Sequence, residues 1–413
     1  MTAFLLALGL VLYPSTQLRI SGLPLGPGEM LLIIWLGIAT LRQTLLPSIS
    51  VNLALSRVVT FWVVLLLALC AGMIVGLARE PFHYYTGILH DLFAYTLIFA
   101  LACMFSLDLG GPARRRTVIW RVVAFGAVSM FLQIASGYGL FPMPGVDPWF
   151  YDRLSGWSLD PNQLGFFAMF LMFLAAHLAE TADTPREALA ALVCAVPAAV
   201  AGVLSKSDTF LVALMAAGSV FLVLKSTTWL QNYEMAPTVR GTIVAIGLLS
   251  LPLAAASVAP FWAAALERIE QRSEEVYAQG GQGELRFHLW QEAYEKGLES
   301  GMIGYGPGPH LTSKSWKRPP PYKFEAHNTS LDLFTQGGIV AMAAFVWLCV
   351  STLREGWRSR LPALSAMIMG VAVFSMFHFV VRHPNFWFAI VLCLLEADRV
   401  RPPFRSIRSE VAS

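Results

Sequence analysis

Three features of this sequence predict an all-α polytopic membrane protein with about twelve transmembrane helices and a helical loop outside the cytoplasm. Of its 413 residues, 56% are hydrophobic and only 13% are charged, whereas an ordinary soluble domain carries roughly a quarter charged residues. Apolar runs long enough to cross about 30 Å of hydrocarbon recur from end to end. The polar residues gather in one long stretch, 261–327. The expected organisation is a membrane domain over 1–260, a large loop over 261–327, and membrane helices with a basic tail over 328–413.

The first apolar run follows Met1-Thr2-Ala3-Phe4, which lacks the basic n-region and small-residue cleavage site of a secretory signal, so 3–18 is expected to remain as a helix. Breaking the following runs at charge and Pro/Gly clusters predicts helices near 29–45, 57–77, 88–106, 117–136, 163–180, 187–204, 208–225, 240–260, 328–352, 361–380 and 384–398. The connection at Ser205–Asp208 is so short that it reads either as a tight turn or as part of a broken or re-entrant helix.

Twelve spans put both termini on one side, and the basic residues choose that side. With the N-terminus inside, the cytoplasmic segments hold Arg42, Arg57, Arg114, Arg115, Arg116, Arg121, Arg186, Lys225, Arg240, Arg354, Arg358, Arg360, Arg399, Arg401, Arg405 and Arg408. The opposite short loops hold only Arg19, Arg79, Arg153, Lys206 and Arg382. The expectation is a multi-pass protein of the bacterial inner membrane with cytoplasmic termini and the long loop on the periplasmic side.

Within that loop, Phe261–Gln279 and Glu284–Ser300 read as helices separated by Gly280-Gly281-Gln282-Gly283. The second is amphipathic, with Arg286, Trp290, Ala293, Tyr294 and Gly297 on one face and Glu284, His288, Gln291 and Glu295 on another. A glycine turn, Gly304-Tyr305-Gly306-Pro307-Gly308, follows. A basic, proline-rich stretch then leads to Glu325-Ala326-His327-Asn328 at the mouth of the next helix.

Ionisable groups at outer helix ends are candidates for chemistry, because placing them near hydrocarbon costs free energy unless something polar meets them. Four places qualify. Arg153 precedes Asp160-Pro161-Asn162, which also reads as an ordinary helix start with Asp160 as cap. Ser205-Lys206-Ser207-Asp208 holds its charges close to the membrane surface. Arg286 sits on the loop helix, where it also reads as one surface charge among many. His327-Asn328 combines a potential general base with a helix cap. Arg382-His383, between the last two helices, either adds positive charge on the same face or marks the interface. His83, Tyr84 and Tyr85 fit an aromatic belt equally well. His90, His177, His288, His310 and His378 are expected to be structural.

The outer loops contain no DxD, no HExxH and no cluster of carboxylates suited to divalent cations, so no metal or other cofactor is implied. No GxxxxGK[ST] faces the cytoplasm, which argues against ATP hydrolysis as a driving force. Cys70, Cys103, Cys194, Cys349 and Cys393 all lie in apolar runs and read as small core residues. Membrane lipids are expected partners, and nucleic acid is not.

The order of these features, Arg153…Asn162, the Ser-x-Ser turn, Arg286-x-x-x-Trp290, the glycine turn and His327-Asn328, resembles that of the O-antigen ligase and polymerase superfamily. The likeness runs from Arg153 to Phe388 and includes a closing His378…Arg382-x-Pro-Asn-Phe-Trp387. It implies a GT-C-like scaffold and an inverting, metal-independent glycosyltransferase. Such an enzyme moves a glycan from undecaprenyl diphosphate to a hydroxyl of another glycan or of lipid A-core. The resemblance makes His327 the base, assigns the diphosphate to Arg286, and places Arg153 and Asn162 in the same cavity, with Lys206, Asp208 and Arg382 as further substrate-binding candidates. One position departs from the pattern: the family's turn usually reads Ser-Arg, and here Asp208 follows Ser207. Lys206 can replace the charge of that arginine but not its bidentate geometry. Ligase and polymerase both remain open, as does a rival from another class, a secondary transporter or flippase for a lipid-linked or anionic substrate.

Overall fold

The structure is a computed structural model and describes residues 2–19, 25–46, 51–79, 84–231, 282–312 and 323–400. Among these are twelve α-helices: α1 (Thr2–Leu12), α2 (Pro27–Thr44), α3 (Leu53–Arg79), α4 (Tyr85–Asp108), α5 (Pro112–Gly137), α6 (Pro161–Glu180), α7 (Pro185–Leu204), α8 (Asp208–Gln231), α9 (Gln282–Glu299), α10 (Thr329–Arg358), α11 (Pro362–Ser375) and α12 (Pro384–Val400). Seven of them are long and apolar enough to cross a membrane, namely α3 to α8 and α10. The chain is an integral membrane protein of all-α class. The expected helix at 240–260 and the first loop helix, 261–279, lie outside the described residues.

Local chemistry explains where these helices begin. Proline occupies the first turn of α2, α5, α6, α7 and α11, where its missing N–H costs nothing. Asp160, Thr184 and Asn328 cap α6, α7 and α10 through their side chains. Two expected helices are shorter than the apolar pattern suggests. The first stops at Leu12, before Pro14, and continues only as a 3₁₀ turn, Thr16–Leu18. The expected 361–380 helix ends at Ser375, so residues 376–383 form a connector rather than a last helical turn.

A second correction concerns α10, which the apolar pattern predicts to be continuous. Gly337 (φ −125°, ψ 17°) and Gly338 (φ 67°, ψ −160°) break it after two turns. The second of these conformations is essentially restricted to glycine. The freed carbonyls do not go unpaired: Tyr305 N–H donates to Thr335 O and Gly306 N–H to Gln336 O, both at 2.8 Å, while Ile339 N–H donates to Met302 O at 3.0 Å. The glycine turn of the loop therefore plugs the break. Close approach explains its composition, since a Cβ at Gly304 would stand 2.4 Å from Gln336 O and one at Gly306 2.8 Å from the Met73 Cα.

At the centre stands α12, in which every residue from Pro384 to Ala397 is buried. A helix apolar on all sides belongs inside a bundle, and α3, α4, α6, α10 and α11 surround this one. Ion pairs gather at the far ends of the same helices. Arg114 meets Asp108 at the end of α4, buried Arg115 meets Glu396 near the end of α12, and Arg57 approaches Glu355 near the end of α10. The starts of α4, α10 and α12 lie together at the opposite end of the bundle, where Asp91, Glu325 and Arg382 meet.

Candidate active site

That end carries a cavity of about 210 Å³ between the start of α6, the Glu325–His327 segment and the α11–α12 connector. Its lining includes Asp160, Gln163, Glu325, His327, His378, Arg382 and His383, with Phe166, Phe374 and Phe379 as aromatic walls.

His327 reaches the cavity because the backbone there is forced into an unusual shape. Its φ is +53°, a left-handed conformation that costs a non-glycine residue roughly 1–2 kcal/mol. The carboxyl of Asp332, in the first turn of α10, holds it so: Oδ1 accepts from Ala326 N–H at 2.7 Å and Oδ2 from Asn328 N–H at 3.2 Å. The two N–H groups flanking His327 are thus clamped by one side chain. Asn328 Oδ1 meanwhile caps α10 by accepting from Ser330 and Leu331 N–H. Desolvation at the cavity mouth lowers the pKa of His327 below its ordinary 6.5, with Arg286 and Arg382 adding to the effect and Glu325 and Asp160 opposing it. This favours the neutral imidazole, the form that accepts a proton.

Arg286 stands on α9, which is seated on this segment by its apolar face. Leu289, Ala293, Leu311 and Ala326 form a small core of their own, and Trp290 Nε1–H donates to Ala326 O at 3.1 Å. The expected face of α9 holds, except that Tyr294 is exposed. Arg286 acts electrostatically on both His327 and His378, two residues of the cavity lining.

The next group forms around Arg153. A two-stranded hairpin, β1 (Trp149–Phe150) and β2 (Arg153–Leu154), pairs Phe150 with Arg153. Arg153 then donates through Nη2 to Asn162 Oδ1 at 2.9 Å and through Nε to Ser205 O at 3.2 Å. Ser207 Oγ donates to the same Asn162 oxygen at 2.7 Å. Asn162 therefore ties Arg153 to the α7–α8 turn. Ser205–Ser207 is a tight turn and not a broken helix, with Lys206 at φ +45°. Lys206 pairs with Asp152 at 2.7 Å on the exposed side, and Asp208 is an exposed residue of the first turn of α8. Lys206 and Asp208 do not line the cavity. Arg153 acts electrostatically on His378.

Arg382 lines the cavity but is already matched by two carboxylates, Asp91 Oδ1 at 2.5 Å and Glu325 Oε1 at 2.6 Å. Asp91 is fully buried in α4 and also accepts from Gly308 N–H and Gln336 Nε2–H. Gln336 in turn accepts from the Tyr95 hydroxyl. Arg382 is thus the strut that joins the connector, the His327 segment and the glycine turn.

Residues 190–346 match the family model described as O-antigen ligase. The matched stretch runs from α7 through the glycine turn into the second half of α10, and it contains the Ser205–Asp208 turn, Arg286 and His327. This match supports the O-antigen ligase and polymerase superfamily. No curated protein matches it. The match to O-antigen ligase supports a glycosyl-transfer enzyme of the inner membrane that handles lipid-linked glycan and acceptor substrates. Arg153, Asn162 and Arg382 lie outside the stretch matched to O-antigen ligase and join the site through the contacts described above.

Several members of the site are not evident as such in the chain. His378, expected to be structural, lines the cavity, and so does His383, expected to add positive charge with Arg382 or to mark the interface. Asp332 carried a weak signal, an acid in the first turn of α10. Asp91 and Gln336 carried a stronger one, as polar groups inside apolar runs. Among the described residues no group of three or more His, Cys, Asp and Glu side chains is arranged to hold a metal.

Proposed function

We propose that the chain transfers a glycan from undecaprenyl diphosphate to an acceptor hydroxyl at the periplasmic face, with inversion at the anomeric carbon. The observation that carries this reading is the His327 imidazole, held in the cavity lining by the Asp332 carboxyl and within electrostatic reach of Arg286. The acceptor oxygen attacks the anomeric carbon, the bond from that carbon to the diphosphate oxygen breaks, and His327 takes the hydroxyl proton. Arg286 and Arg153 stabilise the charge that develops on the departing diphosphate. Such proton transfer contributes typically 10²–10⁴-fold. Arg57, Arg114 and Arg115 lie at the helix ends opposite the cavity, and the preference of basic residues for the cytoplasm supports a cavity on the outer side.

The rival transporter reading finds less support. Transporters place ion-binding carbonyls in broken helices, but the carbonyls freed in α10 are taken up by Tyr305 and Gly306 N–H. The test is a membrane transfer assay in which His327→Ala and Arg286→Lys each abolish product at unchanged protein level. Full activity in either variant removes the mechanism. Ligase and polymerase are separated by a deletion strain: loss of a ligase leaves long polymer on the carrier, and loss of a polymerase leaves single repeat units.

A further inference from the structure

The cavity that His327 lines differs in charge from the Arg153 and Arg286 pair, neither of which is part of its lining. Its fixed charges are the Asp160 and Glu325 carboxylates and Arg382, and Arg382 is already shared between Glu325 and Asp91. An anion entering here meets uncompensated carboxylate, not free cation. Three polar atoms of cavity-lining side chains, Gln163 Oε1, His378 Nε2 and His383 Nδ1, are buried without a hydrogen-bond partner. Buried polar atoms are normally paired, so each unsatisfied one in a native structure calls for an explanation. Beside them Phe166 packs edge-on against Phe374 at 5.2 Å and against the His383 ring at 5.2 Å, forming an apolar wall.

From this juxtaposition we infer that the cavity is a subsite for one uncharged sugar ring of the acceptor, recognised by Gln163, His378 and His383 through its hydroxyls and by the phenylalanine wall through its apolar face. The inference rests on the glycan-transfer reading above and deepens it. Carboxylate and amide oxygens accept from sugar hydroxyls, and a neutral imidazole offers one donor or one acceptor at each nitrogen. The imidazoles are neutral: burial, aided by the Arg286 and Arg153 charges and opposed by Asp160, takes His378 down to about 4, and burial takes His383 down to about 3. A protonated pair would instead have favoured phosphate. Since His327 lines the same cavity, a ring seated inside presents a hydroxyl to it, while the diphosphate stays with Arg153 and Arg286.

The experiment uses the full-length protein in nanodiscs and two probes. Saturation-transfer NMR is run with a panel of methyl glycosides (hexose, 6-deoxyhexose, N-acetylhexosamine, heptose and hexuronic acid), and undecaprenyl diphosphate binding is measured separately. The expected result is saturable binding of at least one uncharged glycoside, weakened about tenfold or more in His378→Phe and Gln163→Leu. His378→Gln should regain part of that binding, and all three variants should bind undecaprenyl diphosphate like the parent. Conversely, Arg153→Gln and Arg286→Gln should weaken the lipid and spare the glycoside. Absence of glycoside binding across the panel overturns the subsite, as does binding that survives both His378→Phe and Gln163→Leu, or glycoside displaced by inorganic pyrophosphate. If lipid binding still depends on the two arginines in those cases, the transfer reading stands without the subsite. If lipid binding is indifferent to the arginines, that reading fails separately.

Discussion

Replacing Asp332 by alanine tests whether the shape of the His327 turn matters to transfer. Asp332 touches neither the cavity nor Arg286; its carboxyl accepts from the N–H groups on either side of His327, at 2.7 and 3.2 Å. Removing it leaves two backbone donors without their acceptor, at about 1–3 kcal/mol each. It also releases a residue held at φ +53°, a conformation worth roughly 1–2 kcal/mol of strain. These effects act in one direction. The turn relaxes towards an ordinary backbone shape and carries the imidazole off its position by an ångström or more, a displacement of the kind that costs about 10²-fold in rate. The expected outcome in a membrane transfer assay is a fall of about 10²-fold in kcat with the donor KM nearly unchanged, because the arginines are untouched. Asp332→Asn, which keeps one acceptor oxygen, should fall between alanine and the parent. Parental kcat in Asp332→Ala, at equal protein level, would refute the positioning argument.

Three other expectations follow from the same geometry. The transfer rate should decline on acidification with a midpoint below pH 6.5, because His327 must be neutral and its pKa is lowered; a midpoint above 6.5 in a pH–rate profile contradicts this environment. Replacing Arg382 by glutamine strands the fully buried Asp91 carboxylate and should destabilise the fold by about 3–5 kcal/mol, read as a lower Tm in detergent. A variant with normal Tm and a raised donor KM would instead make Arg382 a diphosphate ligand. Gly338→Ala should lower the Tm, since its Cβ would stand 2.0 Å from Met302 O at a backbone φ of +67°, whereas Gly37→Ala in α2, with nothing within 4 Å, should gain up to about 1 kcal/mol; equal Tm shifts in the two variants would mean that the plugged break in α10 is not needed.

The helices were legible because a membrane helix is written locally. Length, apolarity and proline or Asx residues at its start are set within some twenty positions, and the start of α6 at Pro161 behind its Asp160 cap illustrates this. His327 and Arg153 are legible as polar groups beside the starts of apolar helices, and Arg286 as a charge on the loop helix. The hairpin that presents Arg153 was not, since its two paired residues per strand leave no periodic pattern. Lys206 carried a charge in the right turn but points to Asp152, because the direction of a side chain in a tight turn depends on backbone φ, which charge spacing does not encode.

What the chain order and composition decide, then, is the class of protein, its helices and the set of polar groups gathered at one end. Hydrophobic burial and helix termination act over short distances along the chain, so they can be read from it. Only the tertiary structure decides which of those groups work together. Arg382 is a strut because Asp91, 291 positions earlier, is brought beside it. His378 and His383 become cavity walls because α11 ends at Ser375. The break in α10 is stable because a loop folded back from outside supplies the N–H groups its carbonyls lack. Each of these is a pairing between residues distant in sequence, created when the bundle packs around α12, and its energetics depend on partners that no local pattern names.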